Sequence, residues 1–330
     1  MRAVWYERKG PAAEVLCFGE LPQPRPGPGE ILVKVMASAV NPSDTKARNG
    51  WAGSNVMRHP RVVPHHDGAG VVEEVGEGVP EALVGQRVWI YMAQWQGPWG
   101  TAAQYTCVPV QQAVPLPEHV SYAEGACLGI PALTAHRLIE AQGGVKGQTV
   151  LVQGGAGAVG FYAIQLARHY GAAQVVTTVS GEEKADRARW AGANEVVDRR
   201  HSQHALTQRY GEDAFDRIVE VDLAANAAQD ARLLKIGGVI ACYGSDSSLD
   251  PVLAFRAMQL KDAVLYTALV YTMPERARRT AVADVTGLLK HGRLRHQIYA
   301  QLPLQEAVLA HSLQESGRAL GKIILEPWRE

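Results

Sequence analysis

Cysteine is scarce in this chain, and what there is forms no pattern. Cys17, Cys107, Cys127 and Cys242 are dispersed among 330 residues with no C-x-x-C pair. That speaks against a disulfide framework or a cysteine-rich zinc module and leaves reduced core residues as the simplest reading. Net charge is also lacking. Lys and Arg total 33, Asp and Glu total 33, and no tail or block of like charge occurs. Nothing in that balance would hold nucleic acid or an anionic membrane surface. No apolar run is long enough to cross a bilayer, and Met1–Gly10 has no signal-peptide core, so a cytoplasmic protein is expected. Internal repeats and low-complexity segments are missing too. The length predicts two domains around a large core, and an enzyme is the natural class.

Glycine, by contrast, is plentiful, and it is concentrated where it means most. Thr149–Tyr170 reads TVLVQGGAGAVGFYAIQLARHY. Thr149–Gln153 is short, apolar and β-branched, as a buried parallel strand should be. Gly154, Gly155, Gly157 and Gly160 follow, with Ala156 and Ala158 between them. Val159, Ala163, Ile164 and Ala167 then recur at helical spacing. A turn this tight needs backbone angles that only glycine adopts cheaply, and a Cβ would hold a phosphate away from the backbone. The helix opens with free N–H groups and the positive end of its dipole, a site for a pyrophosphate. The spacing Gly154-x-x-Gly157-x-x-Gly160 differs by one step from the usual G-x-G-x-x-G fingerprint. The alternative is a tight turn with no ligand; its place after a strand and before a helix favours the phosphate cradle.

Around this turn the chain changes character. Residues 1 to about 120 read as mostly β, with strands predicted at Met1–Tyr6, Val15–Glu20, Glu30–Ala39, Gly68–Val75, Gln86–Tyr91, Thr101–Val108 and Ala113–Pro115. Pro22–Gly29 is a proline-rich connection, and Asn41–Arg48 a turn or short helix. Ser121 and Glu124 form a capping box for a helix that Ile130-Pro131 is predicted to interrupt. Strands and helices then alternate. The helices fall at Glu182–Ala191, His201–Tyr210, Ala224–Leu234 and Pro274–His291, so the fold class is α/β with a doubly wound parallel sheet. Leu294–Glu330 no longer alternates and is expected to return to the first domain.

These residues resemble a family. GIPALTAHRLI (Gly129–Ile139), VLVQGGAGAVG (Val150–Gly160) and IVEVDLAANAAQDARLLKIGGVIACYGS (Ile218–Ser245) are similar to the zinc-free quinone oxidoreductases, above all the zeta-crystallin type, among the medium-chain dehydrogenase/reductases. NPSDTKARNG, GAGVVEEVG and GKIILEP extend the likeness over nearly the whole chain. The resemblance implies a GroES-like catalytic domain from residues 1–122 and 294–330, a Rossmann domain from 123–293, and an active site in the cleft between them. It also implies NADPH as cofactor, a quinone or enone as small-molecule substrate, and a homodimer or homotetramer through the Rossmann edge strand.

The metal question can be put to the residues. In the related zinc alcohol dehydrogenases a Cys, a His and a later Cys hold the catalytic metal; here Asn41, His66 and the region of Ile130-Pro131 stand at those positions. One ligand of three is too few for a catalytic zinc, so no metal is expected. His66 departs from the family's usual small residue. It either donates a hydrogen bond to a substrate carbonyl, given an imidazole's ability to protonate near neutral pH, or belongs to a polar turn, His65-His66-Asp67.

Cofactor choice follows from the second Rossmann strand, which ends Thr178-Val179-Ser180-Gly181 with no acid to bind ribose hydroxyls. Ser180 and Lys184 match the family's contacts to a 2′-phosphate, and Arg199 replaces its tyrosine. Lys184 has the alternative of a solvated surface charge. Thr134, within Gly129–Thr134, and Tyr243, Gly244 and Ser245 are expected near the nicotinamide, with Lys322 close to the cofactor. On the acceptor side, Asn41 and Asp44 match cleft positions. Lys46 replaces a family tyrosine, a second tyrosine is replaced around Trp51-Ala52, and Trp95 and Trp99 are either ring platforms or core. Lys46 either stabilises negative charge developing on the substrate or is exposed. The leading expectation is an NADPH-dependent quinone reductase with direct hydride transfer. Alternatives are an ene-reductase acting on α,β-unsaturated carbonyls, a zinc alcohol dehydrogenase, and a cofactor-binding structural or RNA-binding protein of the zeta-crystallin kind.

Overall fold

The alternation in EILVKVMASAV carries through as a strand of 11 residues, Glu30–Val40, and the first of two units is built on it. The computed structural model describes residues 1–51, 54–200 and 205–330. They divide into Met1–Ile130 with Val282–Glu330, and Pro131–Ala281. In the first unit the strands are β1 (Arg2–Trp5), β2 (Cys17–Glu20), β3 (Glu30–Val40), β4 (Asp67–Val75), β5 (Arg87–Ile90), β6 (Tyr105–Pro109) and β7 (Ala113–Pro115). The second unit holds β8 (Thr149–Val152), β9 (Gln174–Val179), β10 (Glu195–Asp198), β11 (Phe215–Glu220), β12 (Leu234–Cys242) and β13 (Val264–Thr267). The chain then returns to the first unit with β14 (Ile298–Pro303) and β15 (Lys322–Glu326).

β15 pairs antiparallel with the end of β3, Ile323 opposite Val40, so the tail completes the first unit. The sheet runs β14-β15-β3-β4-β5-β7, with β6 also on β3. Its apolar face packs Ile31, Val33, Val72, Val88, Ile90 and Val108 together. The second unit is a parallel sheet in the order β10-β9-β8-β11-β12-β13. Sequence order reverses at β8, whose C-terminal end carries the glycine turn, and this reversal is where an open α/β sheet binds its ligand. The fold class is therefore the one expected, a GroES-like unit and a Rossmann unit.

Several local expectations differ. Pro131 does not break the helix, which runs Gly129–Glu140. It occupies the first turn, where its missing N–H has no acceptor to lose. Val15–Glu20 is not one strand: Ala12–Val15 coils into a single helical turn closed by Leu16 N–H on Ala12 O, because Val15 packs on Tyr6 and Val62. Thr101 precedes β6 instead of joining it, and its hydroxyl serves a buried network described below. The helix Ala205–Tyr210 matches the end of the predicted His201–Tyr210; residues 201–204, like Ala52, lie outside the described residues. A short helix, Phe255–Leu260, was not foreseen. Among the described residues no helix is long and apolar enough to cross a membrane.

Candidate functional site

In the Rossmann unit the glycine turn is shaped by close packing. Gly154 sits at φ +71°, a left-handed conformation. A Cβ on Gly155 would fall 2.0 Å from Thr177 Oγ1, and one on Gly160 would fall 2.4 Å from Gly154 O. Those two glycines let the helix Ala158–His169 lie directly on the strand. Gly157 is different: its Cβ would meet only Gly154 O, at 3.3 Å. It is the N-cap and brings no capping side chain, so the first-turn N–H groups around Ala158, Val159 and Gly160 remain for an anion. This cradle fits a pyrophosphate. Ala156 beside it is buried.

Beside the turn is a cavity of about 320 Å³ whose lining includes Gln153, Thr178, Arg199, Arg200, Asn226 and Gln229. At the end of β9, Lys184 Nζ donates to Ser180 Oγ at 3.1 Å. Lys184 is half-buried, so it is not simply a solvated charge. Sequence reasoning missed Asp198. The β9–β10 register places it opposite Val179. Its carboxylate accepts from Gly181 N–H at 3.0 Å and from the Arg200 guanidinium at 2.7 Å, and these Arg200 bonds hold it well below the usual carboxylate range. Arg200 is thereby paired with Asp198, and both Arg199 and Arg200 line the cavity.

Tyr243, Gly244 and Ser245 form the exit from β12. A Cβ on Gly244 would lie 2.4 Å from Val221 O. Leu223 N–H donates to Gly244 O at 3.0 Å, and Ser245 Oγ accepts from Ala224 N–H at 3.2 Å while donating to Ser248 O at 2.6 Å. This segment is stapled to the start of the helix Leu223–Leu233. Thr134 is buried in the helix Gly129–Glu140.

The GroES-like unit holds a buried polar cluster where the ends of β3 and the starts of β4 and β15 converge. Asp44 Oδ2 accepts from Asn41 N–H at 2.7 Å at the head of the helix Pro42–Asn49. Asn41 Nδ2 donates to Asp67 Oδ2 at 2.8 Å, and Lys322 Nζ donates to Asn41 Oδ1 at 2.6 Å. Lys322 also pairs with Asp67 at 3.8 Å, and Ile130 N–H donates to Asp67 Oδ1 at 2.9 Å. Lys322 thus belongs to this cluster, a placement its position in GKIILEP did not reveal. Burial and then Asp67 push the Asp44 carboxyl up to about 7, against hydrogen bonds that pull it down. Burial pushes Asp67 up to about 6, opposed first by Lys322. The cluster can therefore hold one fixed positive charge and gain or release a proton near neutral pH.

His66 N–H donates to Asp44 Oδ1 at 3.2 Å, and its Nε2 lies 3.7 Å from the same oxygen. Burial and then Lys322 push its pKa down to about 3, which removes the protonation near neutral pH invoked from the sequence. Its neighbour His65 faces elsewhere. Thr101 Oγ1 donates to Asp67 O at 2.6 Å, so it must accept from Ser38 Oγ at 2.8 Å. Ser38 in turn accepts from His65 Nδ1 at 2.8 Å, and His65 Nε2 accepts from His311 Nε2 at 2.9 Å. Burial holds both imidazoles neutral. This is structural wiring under the cluster. Lys46 is half-buried on the Pro42–Asn49 helix, Trp51 is exposed, and Trp99 packs against the core of Ala3, Val4 and Val63.

The donor set at the three zinc-equivalent positions is thin. Both polar atoms of the Asn41 amide are engaged, Ile130 contributes an N–H, and the Lys322 ammonium stands among them. No grouping of three His, Cys, Asp or Glu able to hold a metal occurs among the described residues.

Comparison with known proteins agrees with this geometry. Residues 27–118 match the alcohol dehydrogenase GroES-like domain family, and residues 158–286 match the zinc-binding dehydrogenase family. Human quinone oxidoreductase is 32% identical over 333 residues, covering 98% of this chain and 97% of its own. A 2-haloacrylate reductase from a Burkholderia species is 29% identical, covering 99% of each. A mycobacterial protein solved in complex with NADPH superposes with a TM-score of 0.84 at 28% identity, covering 99% of this chain and 100% of that one. The chain belongs to the quinone oxidoreductases, oxidoreductases of the medium-chain dehydrogenase/reductase superfamily.

Proposed function

We propose that this enzyme reduces quinones and related conjugated carbonyls with NADPH, by direct hydride transfer and without a metal. The observation that carries the reading is the glycine cradle with Ser180, Lys184 and Arg199 beside a cavity of about 320 Å³. A cradle of N–H groups takes a pyrophosphate, and a hydroxyl with two cations takes a 2′-phosphate. Bound there, the nicotinamide would supply the hydride. Thr134 and the backbone of Tyr243, Gly244 and Ser245 would serve its nicotinamide end, and Asn41, Asp44, Lys46 and His66 the acceptor. A shaped, water-poor pocket is the protein's contribution to such a transfer. The donor set supports metal-free chemistry: one imidazole and a buried ammonium are a poor zinc site.

Lys184→Ala is expected to weaken NADPH binding by about 1.5–3 kcal/mol, the value of a hydrogen bond to a charged group, and to leave NADH binding nearly unchanged. Titration of both cofactors reads this directly, and equal losses for the two would remove Lys184 from the 2′-phosphate site. Ene-reduction is the second reading, favoured by the full-length similarity to a 2-haloacrylate reductase. Steady-state rates with 1,4-quinones and with 2-substituted acrylates rank the two.

We also propose that a second copy of this chain adds to the Rossmann edge strand. β13 ends the sheet, and Phe255, Leu260 and Val264 beside or on it are exposed. An open, apolar edge is a template for another strand. Light scattering is expected to show a dimer or larger, reduced to a monomer by Val264→Lys; an unchanged mass for that variant would place the interface elsewhere.

A further inference from the structure

Two carboxyl groups in the Rossmann unit are fully buried and have no part in the function proposed above. Glu220 ends β11, and Asp230 lies in the helix Leu223–Leu233; neither is exposed to solvent. Two of their four oxygens have donors. Glu220 Oε1 accepts from Asn226 Nδ2 at 3.0 Å and from Asp222 N–H. Asp230 Oδ1 accepts from Gln153 Nε2 at 3.2 Å. The remaining oxygens, Glu220 Oε2 and Asp230 Oδ2, find no donor among the described residues. Burial, and then the neighbouring Glu220 carboxylate, hold Asp230 well above the usual carboxylate range. Two bare carboxylates in contact, away from water, repel. One proton between Oε2 and Oδ2 satisfies both oxygens and removes the repulsion.

The pair is wired to the glycine turn. Because Asp230 Oδ1 takes the Gln153 N–H, Gln153 Oε1 must face outward, where it accepts from Thr178 Oγ1 at 2.7 Å. Thr178 Oγ1, having spent its hydrogen, accepts from Gly154 N–H at 3.1 Å. Gly154 is the residue held at φ +71°. Every bond in this chain points one way, from Gly154 through Thr178 and Gln153 to Asp230. An acceptor at Asp230 Oδ1 fixes that direction. Gln153, Thr178 and Asn226 also line the cavity beside the turn.

We propose that Glu220 and Asp230 share a single proton and act as positioning residues, holding the glycine turn in its pyrophosphate-binding shape through Gln153 and Thr178. The inference rests on the NADPH reading above for its ligand, but not for its proton. Among the described residues, the titratable side chains that feel the pair's charge are Cys242 and Tyr243, both weak acids.

The test uses the full chain and NADPH titration. Asp230→Asn keeps an acceptor toward Gln153 and offers an N–H where the shared proton stood, so its NADPH affinity is expected within about twofold of the parent. Asp230→Ala and Thr178→Val break the chain and are expected to weaken NADPH at least about tenfold, with kcat at saturating NADPH nearly unchanged. A loss in Asp230→Asn as large as in Asp230→Ala would overturn the shared proton, since it would show that the charge itself is required. Full affinity in Thr178→Val would overturn the link to the turn. Should Asp230→Ala fail to fold, infrared spectroscopy of the parent keeps the proposal open to refutation. At alkaline pH, where Asp44 and Asp67 are ionised, the C=O stretch of one neutral carboxylic acid is expected, and it is lost in the Glu220→Gln/Asp230→Asn double variant. Absence of that band in the parent would sink the proposal. If the parent binds no NADPH at all, the functional reading fails, while the infrared band still reports on the pair.

Discussion

Lys322→Met is expected to destabilise the protein by about 3–5 kcal/mol, the usual consequence of removing one partner of a buried ion pair. Both partners are out of solvent: Lys322 is 4% exposed and Asp67 is 0% exposed. Without the ammonium, Asn41 Oδ1 loses its donor and Asp67 keeps a charge that only N–H groups of Asn41 and Ile130 oppose. The loss has a pH signature. Asp67 already stands above its ordinary value, at about 6, and Lys322 is the largest influence holding it down. Removing Lys322 raises it further. A carboxyl whose folded pKa exceeds its unfolded one binds protons more tightly when folded, so the variant's stability rises as pH falls through the folded pKa toward 4. The deficit is therefore largest under alkaline conditions. Denaturant unfolding at pH 8 and pH 5 checks both parts, and Lys322→Met/Asp67→Asn is expected to recover most of the loss. A deficit under 1 kcal/mol at both pH values would show that the 3.8 Å pair does not hold the cluster together.

The second large effect separates two kinds of glycine in the turn. At Gly160 a Cβ would strike backbone, 2.4 Å from Gly154 O and 2.9 Å from Gly155 Cα. Backbone cannot swing aside as a side chain can, so Gly160→Val should force the helix off the strand. Overpacking of this kind costs about 1–3 kcal/mol or more, and the displaced turn is expected to lose NADPH by roughly a hundredfold. Gly157→Ala makes only a 3.3 Å contact with Gly154 O. It is expected to keep the parent's melting temperature while weakening NADPH about tenfold, because its methyl stands where the phosphate approaches. Unchanged NADPH affinity in a folded Gly157→Ala protein would mean the cradle does not hold the pyrophosphate.

How much of this could be read from the sequence depends on whether the signal was local. The glycine turn, the helix Glu182–Ala191 and the strand Glu195–Asp198 all follow from periodicity and turn residues within a short window, and they are found where expected. Pro131 misled because proline is a breaker in a helix interior and harmless in its first turn, a distinction that turns on where the helix begins. The clusters were legible only in part: the family resemblance grouped Asn41, Asp44 and His66, but not their partners. Lys322 meets Asn41 across 281 positions, and His65 meets His311 across 246, through pairings that only the assembled sheet creates. Asp198 was overlooked for a related reason. The acid was sought at the tip of β9, but the sheet register delivers one from the neighbouring strand. His66 shows the limit from the other side: its identity suggested a group charged near neutral pH, and only its burial beside Lys322 reveals an imidazole that stays neutral.

NADPH specificity and metal-free hydride transfer, as proposed for this enzyme, can be tested together in a single assay. Chelator-treated protein is mixed with 1,4-benzoquinone and either NADPH or NADH, and oxidation of the nicotinamide is followed by its absorbance. The expected result is quinone-dependent NADPH oxidation at an undiminished rate after chelation, with kcat/KM for NADPH at least about tenfold above that for NADH, the discrimination that one charged hydrogen bond to the 2′-phosphate supplies. Equal efficiency with the two cofactors would contradict the roles of Ser180, Lys184 and Arg199. Activity that disappears with chelation and returns with zinc would contradict the reading of Asn41, His66 and Lys322 as a site without a metal.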